Sequence, residues 1–219
     1  MKISLMCDTQ DSYIHEYIHD FKKKIVSLGH NVNVIKNRRN IKKGDILFLL
    51  ACSSILNENE LKKNKKNIVI HPSKLPKGKG HAGLVWEILK GNFFFYLTMF
   101  EANSKVDGGN IYYQETFKLE GHELSDEIRY LQAKKTLNMI INFLKAKNLK
   151  PYKQIGKSSY SRRRTPEDSE VNINDTIKNQ FNLLRVVDNK RYPAFIRFKG
   201  KKYVLKIFKE NLKKQKKLY

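Results

Sequence analysis

The sequence predicts an α/β fold: a mostly parallel sheet with flanking helices, followed by a small C-terminal subdomain of one helix and a β-hairpin. Three observations predict it. Short apolar segments alternate with amphipathic ones, which is the order expected of strand–helix–strand units. The apolar segments contain few polar residues, as strands do when helices cover both faces of a parallel sheet. Beyond Lys150 the composition becomes polar, which indicates a boundary.

The first part of the chain contains four predicted strands and one long helix. Apolar residues at helical spacing define the helix over Tyr13–Leu28, and Gly29 follows as its C-cap. Glu58–Lys66 is predicted to be a short amphipathic connector. The strands are expected at Lys2–Cys7, Asn31–Ile35, Asp45–Leu50 and Asn67–Ile70, the last of which ends at His71.

The second part of the chain begins with a loop rich in proline and glycine, Pro72–Gly80. Ser125 is predicted to cap a long helix that runs through Ala146, with acidic residues in its first turn. Asp175 is predicted to cap a short helix through Val187. Further predicted elements are a helix at His81–Leu89, strands at Phe93–Ala102 and Asn110–Phe117, and a hairpin formed by Ala194–Phe198 and Lys202–Phe208 around Lys199-Gly200-Lys201.

These elements predict three parts: a Rossmann-like domain over residues 1–150, a C-terminal extension over 151–209 and a basic tail over 210–219. No apolar run reaches the roughly 18 residues that cross a bilayer, and the N-terminal segment is too short and polar for a secretory signal. Two cysteines provide neither a disulfide framework nor a four-ligand zinc site. We therefore expect a cytoplasmic protein with no membrane insertion and no bound metal.

The chain is strongly basic, since 44 lysines and arginines against 21 acidic residues give a formal net charge of +23. Such an excess is found in nucleic-acid binders, in enzymes that attract polyanionic substrates and in chains of lysine-rich composition. The basic residues are scattered rather than gathered on one stripe, and asparagine and isoleucine are abundant too. We therefore favour composition with mild electrostatic steering and do not expect a nucleic-acid partner.

Two loops carry residue types suited to catalysis. His71 lies at the carboxyl end of a predicted buried parallel strand, where open α/β sheets bind their ligands. Asp107 lies in a glycine-rich turn, Asn103–Gly109, from which its carboxylate can reach a histidine on a neighbouring strand and fix the tautomer of the ring. Each residue also has a purely structural interpretation: His71 as a core or capping histidine, and Asp107 as an acceptor for turn amides.

The two loops together resemble the folate-dependent formyltransferase family, which includes methionyl-tRNA formyltransferase and the sugar N-formyltransferases. That family has a strand ending in Asn-x-His, then a leucine-proline-glycine loop, then an Asp-x-Gly turn. Here Leu75–Gly80 and Val106–Gly109 match in order and approximate spacing. Arg163–Asp168 and Arg191–Phe195 resemble the Arg-Arg-x-Pro-Glu-Asp and Tyr-Pro-x-Ala-Phe segments of the sugar N-formyltransferase branch.

The resemblance implies transfer of a formyl group from 10-formyltetrahydrofolate to the amine of a nucleotide-linked amino sugar destined for a surface glycan. It assigns proton transfer to His71 and the orientation of that ring to Asp107. Substrate contacts are implied for Lys77, Lys79 and His81. The lysines would attract phosphates or the glutamate tail of the cofactor, or they are simply solvated. Cofactor contacts are implied for Leu50, Ala51, Cys52, Ser53 and Val106, with Cys52 as a wall of the site rather than a nucleophile.

One position departs from the family pattern. Where the family has asparagine two residues before the histidine, this sequence has Val69. Asn67 lies on the same strand face one repeat away, about 6–7 Å along the strand, which is too far to replace the missing amide directly. The candidates for stabilising the oxyanion are protonated His71, a loop amide, Ser73, His81 and Asn110.

Two other functions stay open. The positive charge favours an enzyme of the same fold that acts on another amine, including aminoacyl-tRNA. The length of chain that follows the predicted Rossmann-like domain disfavours this function, because a tRNA formyltransferase is expected to carry a larger C-terminal barrel domain. The second open function is a basic binding protein that has the fold but no activity, which the replacement of the family's asparagine by Val69 favours. The aromatic run Phe93–Tyr96 predicts either a buried strand or a subunit contact, which leaves a homodimer open.

Overall fold

The computed structural model describes residues 1–146 and 148–210, and its centre is a six-stranded sheet. The strands are β1 (Lys2–Met6), β2 (Asn31–Ile35), β3 (Gly44–Leu50), β4 (Asn64–His71), β5 (Lys79–Gly80), β6 (Phe94–Glu101), β7 (Ile111–Lys118), β8 (Tyr160–Ser161), β9 (Ala194–Phe198) and β10 (Lys201–Leu205). The α-helices are α1 (Ile14–Val26), α2 (Glu58–Leu61), α3 (Gly83–Leu89), α4 (Ser125–Lys145) and α5 (Phe181–Val186).

Six of these strands form the central sheet in the order β2-β1-β3-β4-β6-β7. The first four pair in parallel, whereas β6 and β7 are antiparallel to their neighbours. Because β1, β3 and β4 run in the same direction, they end at the same edge of the sheet, and β4 ends there with His71. The expected α/β fold with a mostly parallel sheet is confirmed.

Apolar side chains of the central strands pack on both faces of the sheet. In β3, Ile46, Phe48 and Leu50 belong to the larger hydrophobic cluster, which α1 and α4 cover. Leu47 and Leu49 belong to a smaller cluster. This division follows from the two-residue period of a strand, which sends successive side chains to opposite faces. The continuous apolar runs in the sequence are therefore explained by burial on both sides.

Two boundaries within residues 1–146, which are called the N-terminal domain below, differ from the predicted ones. The residue at the N-cap of α4 is Leu124 rather than Ser125. The Glu127 carboxylate accepts the backbone N–H of Leu124 at 2.8 Å, so the acidic residue of the first turn stabilises this helix end. The predicted connector Glu58–Lys66 is also shorter, because β4 already begins at Asn64 and pairs with β3.

Two boundaries within residues 148–210, which are called the C-terminal segment below, differ as well. Helix α5 begins at Phe181 instead of following Asp175. The Asp175 carboxylate accepts a hydrogen bond from the side-chain amide of Asn179 at 2.8 Å, a local contact that competes with helix formation. The hairpin itself is present, but its turn comprises only Lys199 and Gly200, both at positive φ. Strand β10 therefore starts one residue earlier than predicted, as in other two-residue hairpins.

The C-terminal segment has a small hydrophobic cluster of its own and joins the N-terminal domain through a buried ion pair. Arg185 is 1% exposed. Its Nε donates to the carbonyl oxygen of Glu123 at 3.0 Å, and its Nη2 donates to the carboxylate of the same residue at 2.8 Å. The predicted basic tail lies outside the described residues except for Glu210. Among the described helices, none is both long and apolar enough to span a membrane.

Candidate active site

A cavity of about 680 Å³ lies at the edge of the sheet where β1, β3 and β4 end. Residues from the N-terminal domain and from the C-terminal segment line it together. Its volume falls in the range of roughly 300–1,000 Å³ that is typical of small-molecule sites. His71 and Asp107 both line this cavity, as does Arg163 from the C-terminal segment.

Strand β4 brings His71 to the cavity, where its side chain is 11% exposed. The ring Nε2 lies 3.0 Å from the carbonyl oxygen of Gly78 and 3.8 Å from Oδ2 of Asp107. Because a carbonyl oxygen can only accept, the contact with Gly78 requires a hydrogen on Nε2, which leaves Nδ1 as the proton acceptor of the neutral ring. At 3.8 Å the contact with Asp107 is too long for a hydrogen bond but becomes an ion pair when the ring is protonated.

The turn that carries Asp107 is held by other segments of the chain. The Asp107 carboxylate accepts the backbone N–H of Gly80 at 2.8 Å. The side-chain amide of Gln154 donates to the carbonyl oxygens of Asp107 and Gly109, each at 2.8 Å. A Cβ atom on Gly109 would lie 1.6 Å from the carbonyl oxygen of Glu101, so only glycine fits there. These contacts hold the carboxylate next to His71.

The loop after β3 forms another part of the cavity wall, and the end of β1 determines its shape. The Asp8 carboxylate accepts the backbone N–H groups of Ser53 at 2.7 Å and Ser54 at 3.1 Å. All the positions for which the resemblance implies cofactor contacts line the cavity: Leu50, Ala51, Cys52, Ser53 and Val106.

Cys52 is protected from ionisation. Its thiol donates to the carbonyl oxygen of Met6 at 3.3 Å. Burial, with a smaller contribution from the negative charge of Asp8, raises the pKa of Cys52 to about 12. A thiol with such a pKa stays protonated at neutral pH, which disfavours Cys52 as a nucleophile and favours its expected place in the wall of the cavity.

The three residues with implied substrate contacts lie in different surroundings. His81 is exposed and lines the cavity. Lys77 is exposed on the loop before β5 and does not line the cavity. Lys79 is buried, and its Nζ lies 6.0 Å from the centre of the Tyr160 ring. The cavity wall therefore contains neither lysine, whereas arginines of the C-terminal segment take part in it.

The wall of the cavity is apolar at the position where the family has asparagine. Val69 lines the cavity and packs against the cluster around Phe100. Asn67 donates its side-chain amide to the carbonyl oxygen of Leu61 at 2.8 Å and does not line the cavity. Ser73 and Asn110 do not line it either. Of the side chains considered from the sequence for stabilising the oxyanion, only the two histidines border the cavity.

Two residues that shape the site were not expected from the sequence, Asp8 and Gln154. Asp8 stands directly after the first buried strand, a position where functional residues of parallel sheets are found, so the pattern contained a usable signal. Gln154 lies in a polar loop without regular spacing, and only its contacts with the Asp107 turn reveal its role.

No family model matches the chain, but curated proteins do. The chain is 30% identical over 214 residues to the bifunctional polymyxin resistance protein ArnA of Wigglesworthia glossinidia brevipalpis, covering 89% of this chain and 32% of that protein. It is 25% identical over 168 residues to methionyl-tRNA formyltransferase of Rickettsia massiliae, covering 75% of this chain and 56% of that protein. The chain thus spans less than two thirds of either relative.

Solved structures share the fold over nearly the whole chain. Methionyl-tRNA formyltransferase from Clostridium thermocellum superposes with a TM-score of 0.80 at 24% identity, covering 97% of this chain and 95% of that one. A 4-N formyltransferase from Francisella tularensis gives 0.70 at 16% identity, with 96% and 98% covered. HypX from Aquifex aeolicus in complex with tetrahydrofolic acid gives 0.75 at 19% identity, with 94% and 37% covered. Sequence similarity and a shared fold together thus relate the chain to the formyltransferases.

Proposed function

We propose that the chain is an N-formyltransferase that uses 10-formyltetrahydrofolate and acts on the amine of a nucleotide-linked amino sugar. The observation that carries the proposal is a histidine and a carboxylate 3.8 Å apart on the wall of a cavity large enough for small-molecule ligands. A sugar N-formyltransferase from Shewanella sp. FDAARGOS_354 shares the fold with a TM-score of 0.64 at 16% identity, which supports a sugar amine as the acceptor.

The residues of the cavity suit a reduced folate. In the proposed complex 10-formyltetrahydrofolate supplies the formyl group. Leu50, Ile70 and Phe100 offer an apolar wall for its ring system, and the loop from Ala51 to Ser53, which Asp8 holds in shape, offers polar backbone groups at the edge of that wall. Sites of this kind combine apolar walls with a few fixed polar groups.

His71 acts as the proton acceptor in the proposed reaction. An amine loses a proton when it becomes an amide, and a neutral imidazole takes up such a proton near neutral pH. Nδ1 is the basic nitrogen of the ring while Nε2 donates to Gly78. Once protonated, the ring carries a positive charge 3.8 Å from the Asp107 carboxylate, which stabilises it. Asp107 is thus the positioning residue of the pair.

The pair is tested by two substitutions. His71→Ala should lower kcat by about 10²- to 10⁴-fold, the usual contribution of a general base, while tetrahydrofolate still binds because the cofactor wall is intact. Asp107→Asn keeps a side-chain oxygen for the Gly80 amide but removes the charge, so it should lower kcat less and change the pH–rate profile. Unchanged turnover of His71→Ala would contradict the proposed role, and a wild-type pH–rate profile of Asp107→Asn would limit Asp107 to forming the turn.

The function itself is tested by product analysis. Purified protein is incubated with 10-formyltetrahydrofolate and a panel of UDP-, dTDP- and GDP-linked amino sugars, and the formylated product is identified by mass spectrometry. Wild type should formylate at least one acceptor, with His71→Ala as the inactive control. Tight binding of tetrahydrofolate without any formylated product would favour instead a folate-binding protein that is inactive because Val69 stands where the family has asparagine.

A second function is favoured by a separate observation. The net charge of +23 suits a nucleic-acid substrate, and the methionyl-tRNA formyltransferase from Clostridium thermocellum is similar in fold over 95% of its length. Formylation of methionyl-tRNA in the same assay, with binding that weakens steeply as salt increases, would support this alternative. Formylation of an amino sugar with no affinity for tRNA would exclude it.

A further inference from the structure

We infer that Arg163 binds the diphosphate group of the acceptor substrate, so that the C-terminal segment recognises the nucleotide-linked part of the substrate while the N-terminal domain carries out the chemistry. This inference rests on the proposed function and deepens it, because it names the charged group that the acceptor must carry. It depends on three observations: the free guanidinium of Arg163, its location relative to His71, and the charge of the surrounding wall.

Three consecutive arginines, Arg162 to Arg164, have different environments. Arg162 donates to the Asp168 carboxylate at 2.8 Å and stacks 4.7 Å above the centre of the Trp86 ring. Arg164 donates to the carbonyl oxygens of Val186 and Asp168. The side chain of Arg163 is exposed on the cavity wall, and its guanidinium has no hydrogen-bond or ion-pair partner among the described residues. The fold therefore uses the outer two arginines and leaves the middle one for a ligand.

A short series of hydrogen bonds places Arg163 near the proposed catalytic pair. Gly80 donates its backbone N–H to Asp107 at 2.8 Å, and the next residue, His81, donates its backbone N–H to the carbonyl oxygen of Ser161 at 3.0 Å. Arg163 follows Ser161 by two residues, which span at most about 7 Å of chain. One substrate can therefore present an amine to His71 and a phosphate to Arg163.

The charges around Arg163 favour an anion. Arg164 also lines the cavity, and its Nε is buried without a hydrogen-bond partner among the described residues. Arg191 also lines the cavity; its guanidinium donates to the carbonyl oxygen of Asp11 and lies 3.9 Å from the carboxylate of that residue. Arg129, in contrast, is neutralised by Asp188 at 2.8 Å. A planar guanidinium donates two parallel hydrogen bonds to a phosphate, which makes arginine the preferred partner of such groups.

A diphosphate fits this wall better than the glutamate tail of the cofactor does. The proposed cofactor loop, Leu50–Ser53, follows β3, whereas Arg163 lies beside the pairing of β5 with β8. The two candidate contact regions thus belong to different segments of the chain, and the Arg163 wall is assigned to the acceptor.

The kinetic test compares Arg163→Ala, Arg163→Lys and the control Arg39→Ala, which removes an exposed arginine that is not part of the cavity wall. Arg163→Ala should raise KM for the nucleotide-linked amino sugar about 10- to 100-fold, the usual effect of losing hydrogen bonds to a charged group. It should leave kcat and KM for 10-formyltetrahydrofolate nearly unchanged. Arg163→Lys should give an intermediate KM because it keeps the charge but loses the paired donors, and the control should match wild type.

Two further measurements distinguish the diphosphate of the acceptor from the glutamate tail of the cofactor as the anion that Arg163 binds. One of them measures binding directly and does not require an active enzyme. KM is compared for the monoglutamate and triglutamate forms of the cofactor, and binding of UDP, dTDP and GDP is measured by calorimetry on wild type and Arg163→Ala. We expect wild type to bind at least one nucleoside diphosphate and the alanine variant to lose that affinity. The inference would be overturned if both proteins bound nucleoside diphosphates with equal affinity or if wild type bound none. It would also be overturned if only the KM for the triglutamate form of the cofactor rose in Arg163→Ala. Failure of wild type to formylate any acceptor would contradict the proposed function, while the calorimetry would still decide the role of Arg163.

Discussion

The N-terminal domain and the C-terminal segment differ in the kind of contact that stabilises each of them. In the N-terminal domain the central residues are apolar, and Phe48, which is fully buried, lies edge-on against the Phe143 ring with the ring centres 6.1 Å apart. The C-terminal segment has only a small apolar cluster and makes many charged contacts within itself and to the N-terminal domain. These contacts are Arg185–Glu123, Arg162–Asp168, Arg129–Asp188, Arg197–Glu167 and Lys209–Glu127.

This difference bears on the cavity, which both parts line. Apolar burial is non-directional and close-packed, and it fixes the strand ends so that His71 and the turn of Asp107 have one arrangement. Ion pairs, in contrast, are directional and need polar partners, and three arginines of the C-terminal segment line the cavity, Arg163, Arg164 and Arg191. The apolar part thus carries the proposed proton-transfer pair, and the charged part carries the proposed anion site.

The largest effect on stability is expected in the apolar part. Phe48→Ala removes a fully buried ring from the larger hydrophobic cluster and should lower the free energy of unfolding by about 4 kcal/mol. The loss should be the same at low and at high salt, since no charge is involved. Urea denaturation with 0.05 M and 1 M NaCl measures it, and a loss below 1 kcal/mol would contradict the central place of Phe48 in the core.

The buried ion pair should come next. Arg185→Met leaves the buried Glu123 carboxylate with its backbone partners only and should lower the free energy of unfolding by about 3 kcal/mol. The double variant Glu123→Gln/Arg185→Met should recover part of this loss, because no unpaired charge remains. Urea denaturation of both variants measures the coupling, and equal loss in the single and double variants would show that packing rather than charge joins the two parts.

The smallest effect is expected from the pair formed by Arg162 and Asp168. The hydrogen bond from Arg162, followed by that from the Thr165 backbone, holds the pKa of Asp168 well below its ordinary range. A carboxylate with a lowered pKa in the folded state stabilises the fold above its unfolded pKa of about 4, and that stability disappears as pH falls further. Because Arg162 is 61% exposed, solvent screening keeps this contribution to stability small.

Asp168→Asn tests this pH dependence directly. The variant should lose less stability than wild type when urea denaturation at pH 6 is compared with that at pH 3, since it has no carboxylate to protonate at this position. Arg162→Ala removes the other partner of the pair and should weaken the acid dependence in the same way. If both variants kept the wild-type difference between the two pH values, the pair would not contribute to the acid sensitivity of the C-terminal segment.

Much of the fold could be predicted because its strands carry a strong local signal. The bounds of Asn31–Ile35 are confirmed, as is the buried strand that ends at His71. The start of α5 could not be predicted from Asp175, because capping residues favour turns as well as helix ends and the apolar pattern after Asp175 is weak. From the order of the motifs we could predict that His71 and Asp107 lie near each other. The distance between their side chains, however, depends on the hydrogen bond between Gly80 and Asp107.

The sequence by itself determined the sheet, because runs of apolar residues bury both faces of a strand wherever it lies in the chain. It also determined that a histidine ends one of these strands. Only the tertiary structure decided which of three identical side chains, Arg162 to Arg164, lies on the cavity wall with no partner in the described part of the chain. The physical reason is that the environment of a charged group depends on distant partners such as Trp86 and Val186, and no local pattern distinguishes one arginine from the next.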